Sequence, residues 1–142
     1  MSQSDKDELT YPSEEDLIYL NQLILKDAGE TSGGVQYPPG LNLVVTQPQM
    51  TLFGQELYPN IWLKAAYILQ RITKKHVFVD GNKRTALATA AAFLDNNGYE
   101  LVQSADDGVD FILFVTNEKD TEEVMITVAE WLKDHSQPRR TQ

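Results

Sequence analysis

The chain has 142 residues, of which 21 are acidic, 12 basic and none cysteine, for a formal net charge of −9. That length suits one domain with one core, and 42% hydrophobic against 23% charged residues excludes a largely disordered chain. The missing cysteine removes disulfides, thiolate nucleophiles and cysteine metal sites, and the acidity argues against nucleic acid or an anionic membrane as the main partner.

Residues 1–10 are polar and read as a disordered tail, as do residues 136–142, leaving 11–135 as the folded domain. The amino terminus lacks the basic flank and apolar core of a secretory signal, and no apolar run is long enough to span a bilayer, so a cytoplasmic protein is expected. The first helix is predicted over about 13–28. Ser13 and Asp16 have the spacing of a capping box, Leu17, Leu20, Ile24 and Leu25 supply the apolar face, and Gly29 ends it. Residues 29–40 are dense in Gly and Pro and read as a loop. Periodicity leaves Leu41 to Gln47 open between strand and helix, and 48–57 reads as irregular.

A second helix is predicted from Tyr58-Pro59 to about His76, with Ile61, Ala65, Ile68, Leu69 and Ile72 on one face. A third runs from about Asn82 to Asn96 and stops at Asn97-Gly98. Its Ala- and Leu-rich composition predicts that it forms the centre of the bundle. Ser104 with Asp107 reads as another capping box, before a helix containing Val109 to Val115. Thr121 caps a last helix with Val124, Met125, Val128, Trp131 and Leu132. The expected fold class is all-α, a compact single-domain helical bundle. Trp62, Trp131 and His135 read as packing or helix-end residues, and the acidic pairs Asp106-Asp107 and Glu122-Glu123 as first-turn residues.

The segment between the second and third helices, His76-Val77-Phe78-Val79-Asp80-Gly81-Asn82-Lys83-Arg84, carries the chemistry. Gly81, Asn82 and Lys83 open a helix, where backbone N–H groups lack partners and bind an anion. Lys83 and Arg84 add two cations there, Arg with a fork matched to phosphate oxygens. Asp80 beside such a site suits Mg²⁺, although position alone favours the ordinary role of helix N-cap, and the two roles can coexist. His76 has an ionisation range fit for general-base work, and Phe78 is expected to be buried as the loop's anchor while His76 and Asp80 face a ligand.

This run, H-V-F-V-D-G-N-K-R-T-A-L, resembles the Fic/Doc motif H-x-F-x-D/E-G-N-x-R, and is most similar to the death-on-curing (Doc) branch. The similarity extends to Leu57–Gln70, which resembles the family helix before the motif, and to 34–49, which resembles a short family helix ending in Pro-Gln. That resemblance implies a helix over Leu41 to Gln47 and a helical bundle of the Fic/Doc type. It implies ATP and Mg²⁺ as cofactors. His76 would take a proton from a target hydroxyl, Asp80 would hold the metal, the amides of Gly81 and Asn82 and the Asn82 side chain would hold phosphate with Lys83 beside them, and Arg84 would engage the nucleotide's phosphates.

Fic proteins that transfer AMP have G-N-G-R-x-x-R, whereas this chain has Lys83 for the second Gly and Leu87 for the second Arg. Both departures agree with Doc-like proteins, so the resemblance implies a toxin of a toxin–antitoxin system. Its activity would be that of a protein kinase phosphorylating a Ser or Thr hydroxyl of the translation machinery, on a protein such as elongation factor Tu, with an antitoxin as partner. A Fic-type AMP transferase and a catalytically inactive nucleotide-binding module are the alternatives. A further departure, Gln36-Tyr37 where Doc-like chains usually have Arg-Asp, motivates the inactive reading.

Overall fold

The computed structural model describes residues 8–30 and 33–140. Among the described residues, six α-helices carry the fold: α1 (Glu14–Asp27), α2 (Pro38–Thr46), α3 (Ile61–Lys75), α4 (Asn82–Asn96), α5 (Ala105–Asn117) and α6 (Glu122–Asp134). Two small antiparallel ladders accompany them, β1 (Thr51–Leu52) with β2 (Gln55–Glu56) and β3 (Tyr99–Leu101) with β4 (Ser136–Pro138). The all-helical reading holds.

Local signals set most helix starts. Ser13 and Asp16 close a reciprocal capping box at α1, with Asp16 N–H donating to Ser13 Oγ at 3.1 Å and Ser13 N–H to Asp16 Oδ2 at 2.9 Å. At α5 only half of the expected box forms: Ser104 Oγ accepts from Asp107 N–H at 3.1 Å. Thr121 caps α6 as expected. The α3 start differs from its sequence reading. Asn60 is the N-cap, its side chain accepting from Leu63 N–H at 2.9 Å, so Tyr58 and Pro59 lie outside the helix. Leu41 to Gln47 resolves as helix, entered through Pro38 and Pro39 in the first turn.

The central helix is α3, not α4. Nine α3 residues are buried against six in α4, because α3 packs against α2, α4, α5 and α6 while α4 leaves Ala88, Ala91 and Ala92 partly exposed. Small side chains on α4 therefore signal close approach to α3 on one face only. Trp62 packs edge-on against Tyr99 at 4.8 Å, and Trp131 stacks between Phe111 and His135, each at 3.8 Å. Both tryptophans serve packing.

The chain ends are better anchored than composition suggests. Ser136–Pro138 is β4, paired with β3, so the expected disordered tail does not begin at 136. Near the other end, Asn97 clamps Thr10, donating to its carbonyl at 2.8 Å and accepting from its N–H at 2.7 Å. Tyr11 stacks on Phe93 beside it. A carboxamide that satisfies both groups of one residue replaces the strand partner that the tail lacks. The tail expectations for 1–7 and 141–142 lie outside the described residues.

Lys64 is 2% exposed, and its Nζ donates to the Pro48 carbonyl and to Glu56, each at 2.7 Å. This buried ammonium ties the β1–β2 hairpin to the core. Lys64→Met keeps the packed stem and leaves the Pro48 carbonyl unpaired, and is expected to cost about 1–2 kcal/mol in a denaturant titration. Burial raises the Tyr67 phenol above its ordinary 10.0, against the opposing charge of Arg71. A raised acid pKa in the folded state contributes stability that is complete below pH 10.0 and lost above it. Melting temperature is therefore expected to fall as pH rises past that value, and to fall less steeply in Tyr67→Phe.

Candidate active site

Helix α3 ends at His76, whose φ of 48° and ψ of 56° place it in the left-handed region. That conformation reverses the chain at a cost of about 1–2 kcal/mol for a non-glycine residue. The next two side chains offset it: Val77 and Phe78 are 0% and 1% exposed, and burying two such side chains stabilises by about 3–5 kcal/mol. Phe78 is thus the anchor expected, with Val77 joining it. His76, Val79 and Asp80 are left exposed.

Polar bonds then fix the loop from three directions. Asn82 Oδ1 accepts from Phe78 N–H at 2.9 Å, and Asn82 Nδ2 donates to the Phe78 carbonyl at 2.8 Å. The segment Gly34–Tyr37 lies alongside, bridging Val35 to Phe78. Gln36 and Tyr37 N–H both donate to the Val77 carbonyl, at 2.9 and 3.1 Å, and Val79 N–H to the Gly34 carbonyl at 2.9 Å. From α1, Asn21 Nδ2 donates to the Asp80 carbonyl at 2.9 Å and to Thr85 Oγ1 at 3.1 Å. These bonds give a physical role to the Gln36-Tyr37 pair. It serves the loop through two backbone amides, which side-chain identity does not alter.

Helix α4 then starts at Gly81, with φ of 75°. A Cβ there would stand 3.2 Å from Leu25 Cδ2 and 3.3 Å from Asn21 Nδ2, so α1 packs closely against this turn. Gly81, not Asp80, is the N-cap. Asp80 Oδ1 accepts from Gly81 N–H at 2.8 Å, which engages that amide and leaves the second carboxylate oxygen without a partner among the described residues. Thr85 N–H makes the first rung of the helix ladder, to the Gly81 carbonyl at 2.9 Å. The amides of Asn82, Lys83 and Arg84 therefore precede the ladder, where an anion satisfies them.

All six residues singled out in the sequence, His76, Asp80, Gly81, Asn82, Lys83 and Arg84, line one cleft of about 310 Å³, with Thr73 and Val79. The Asn82 carboxamide is the one whose geometry departs from expectation, since both its oxygen and its nitrogen are spent on Phe78. Lys74 and Lys75 lie outside the cleft. Lys74 Nζ donates to the Thr116 and Glu118 carbonyls, and Lys75 pairs with Asp120 at 3.6 Å. Beside the cleft, sharing Lys83 and Arg84, lies a groove of about 360 Å³ with Leu87, Val109, Ile112 and Leu113 in its apolar wall.

Sequence reasoning missed Asn21 and Thr73. Asn21 had a signal: it falls four residues after Leu17 and four before Leu25, a polar residue in the buried stripe of an amphipathic helix. It is 1% exposed. No group of three or more His, Asp or Glu side chains with metal-binding geometry occurs among the described residues. Asp80 alone still fits a Mg²⁺ ion of the kind held mainly by phosphate oxygens and water, because that ion needs only one or two protein carboxylates.

Asn21→Ala removes two donated bonds and unpairs the Asp80 carbonyl, with an expected loss of about 1–3 kcal/mol in thermal or chemical unfolding.

The chain matches the Fic/DOC family over residues 11–94. The protein named toxin Doc of Mycolicibacterium smegmatis is 47% identical over 66 residues, which cover 46% of this chain and 51% of that protein. The chain thus aligns with about half the length of that relative.

Proposed function

The chain belongs to the Fic/DOC family, and on that premise we propose that it is a Doc-like toxin that phosphorylates a Ser or Thr hydroxyl of a translation protein. One observation carries the reading. A base candidate (His76), a carboxylate (Asp80), two cations (Lys83, Arg84) and unbonded helix amides open into a single cleft of about 310 Å³. That set matches phosphoryl transfer, which asks for positioning and charge neutralisation more than for covalent chemistry.

In this reading the amides of Asn82, Lys83 and Arg84 hold the phosphate oxygens, and the guanidinium of Arg84 braces them. Asp80 would hold Mg²⁺ through its unpaired oxygen, and a bound Mg²⁺ would neutralise phosphate charge and fix the phosphates' orientation. His76 accepts the proton of the target hydroxyl as that oxygen bonds the γ-phosphorus and the bond to the β–γ bridging oxygen breaks, so that ADP leaves. The exposed, left-handed position of His76 at the end of a rigid helix suits this task, because the imidazole stands clear of the core and its backbone is fixed by Val77 and Phe78.

Leu87 favours transfer of the γ-phosphoryl group over transfer of AMP. It faces a groove with Val109, Ile112 and Leu113, so that position offers carbon where nucleotidyl-transferring relatives are understood to hold a phosphate with Arg. The Doc-like motif of the sequence supports elongation factor Tu as the target class, and a relative named as a toxin supports an antitoxin as the restraining partner. No helix of the described residues is long and apolar enough to cross a membrane.

The test is transfer from ATP labelled at the γ- or the α-phosphate into the proteins of a bacterial lysate, with His76→Ala beside the unaltered protein. Label entering a protein from the γ position alone, and reduced at least about 100-fold in His76→Ala, is expected for a lost general base. Incorporation from the α position would replace this reading with nucleotidyl transfer. No incorporation from either label, together with intact Mg-ATP binding, would replace it with a nucleotide-binding module.

A further inference from the structure

Thr73 lines the same cleft as His76 and lies one turn before it on α3. It is 5% exposed, and its hydroxyl has no hydrogen-bond partner among the described residues. Thr89 on α4 is the other buried helical threonine whose hydroxyl lacks a partner among the described residues, but it does not line this cleft. Three other helical threonines, Thr46, Thr116 and Thr127, donate their hydroxyls to the carbonyl four residues earlier, at 2.9, 2.7 and 3.3 Å. The corresponding acceptor for Thr73 is the Leu69 carbonyl, and that bond is not made. A buried hydroxyl without a partner costs about 1–3 kcal/mol, so a valine of the same shape would serve the core better.

His76 presents the matching vacancy. Neither of its ring nitrogens bonds to any described residue, whereas the only other histidine, His135, is fixed with Nδ1 2.8 Å from the Trp131 carbonyl. A histidine that accepts a proton at Nε2 must carry its own proton at Nδ1, and something must hold it there. Within this cleft the other polar side chains are Asp80, Asn82, Lys83 and Arg84. Asn82 is spent on Phe78, Lys83 and Arg84 are donors only, and Asp80 has one oxygen engaged by the Gly81 amide and the other assigned to Mg²⁺ in the proposed function.

We propose that Thr73 is a positioning residue for His76: its hydroxyl oxygen accepts the imidazole Nδ1–H while its proton goes to the Leu69 carbonyl. This rests on the reading of His76 as base. Thr populates two χ1 rotamers in a helix, one of which makes the bond to the preceding turn, so the rearrangement needs a single side-chain rotation. Nε2 then stands unprotonated toward the target hydroxyl, and the imidazolium formed on proton transfer is stabilised at its far nitrogen. The charged groups facing His76 in the cleft are Asp80, Lys83 and Arg84. Lys74 and Lys75 of its own helix are committed to Thr116, Glu118 and Asp120.

Long-range proton–nitrogen NMR of the two histidine rings tests this, on the full chain with Mg²⁺ and a non-hydrolysable ATP analogue. His135 provides the internal reference for the Nδ1–H form. The neutral wild-type His76 ring and that of Thr73→Ser are expected in the Nδ1–H form, and that of Thr73→Val in the Nε2–H form favoured by free histidine. Labelled transfer by Thr73→Val is expected to fall about tenfold or more with unchanged KM for ATP, a shifted acid limb of the pH–rate profile and no loss of thermal stability. An unchanged tautomer and rate in Thr73→Val would overturn the inference, as would a loss of stability without a change of tautomer. If His76→Ala abolishes transfer while Thr73→Val does not alter it, only this inference fails; if His76→Ala transfers normally, the base reading itself fails.

Discussion

Phe78 is held at its N–H and its carbonyl by one side chain, Asn82, at 2.9 and 2.8 Å. The two residues stand on opposite sides of the turn that joins the loop to α4, so this clamp sets how the loop meets the helix. Every feature of the cleft depends on that junction. His76 projects because Val77 and Phe78 are buried, Asp80 reaches the Gly81 amide because the turn is tight, and the amides of Asn82, Lys83 and Arg84 face outward because the ladder begins only at Thr85. An amide side chain suits this task because it has one donor group and one acceptor in a plane, the same pattern that a β-strand presents to its neighbour. The fold uses the device twice, since Asn97 holds Thr10 in the same way.

Legibility in the sequence followed the range of the interaction. Helix existence was readable wherever apolar spacing and a cap agreed, as at Ser13 with Asp16 and at Thr121. The α3 start was misplaced because Pro59 and Asn60 are both valid start signals one residue apart, and only the geometry of the Asn60 cap decides between them. The centre of the bundle was misassigned for a related reason. Composition makes α4 look the most apolar, but alanine buries little area, whereas α3 sinks even Lys64 and Gln70 because both find carbonyl partners at their tips. A pairing such as that of Ser136–Pro138 with β3 gives almost no local signal, since three polar residues carry no periodicity.

The candidate site was legible as a contiguous motif, and all six of its residues do meet in one cleft. The tasks of individual groups were less so. Whether Asp80 caps the helix or faces a ligand was open, and Gly81 takes the cap because only a left-handed residue turns the chain there. Asn82 has the motif position associated with phosphate, yet its side chain is consumed by the loop. Asn21 and Thr73 lie outside the motif; Asn21 shows as a polar residue in an apolar stripe, but what either does emerges only from the bonds they make or fail to make.

That contrast between the two missed residues separates two ways of building a site. Asn21 is a buried polar group with its donors satisfied, so it rigidifies the turn and stabilises the fold in the same act. Thr73 is a buried polar group left unsatisfied, so it weakens the fold slightly and holds a bond in reserve. Stability alone would replace it with valine. A protein that keeps a hydroxyl at a cost to its core, beside an imidazole that lacks a partner, has the arrangement expected where a bond is formed only when the reacting groups are in place. Under the proposed transfer, satisfied support beside the helix amides and unsatisfied support beside His76 would suit its two halves, because the phosphates would be held throughout while the base would change its protonation once in each turnover.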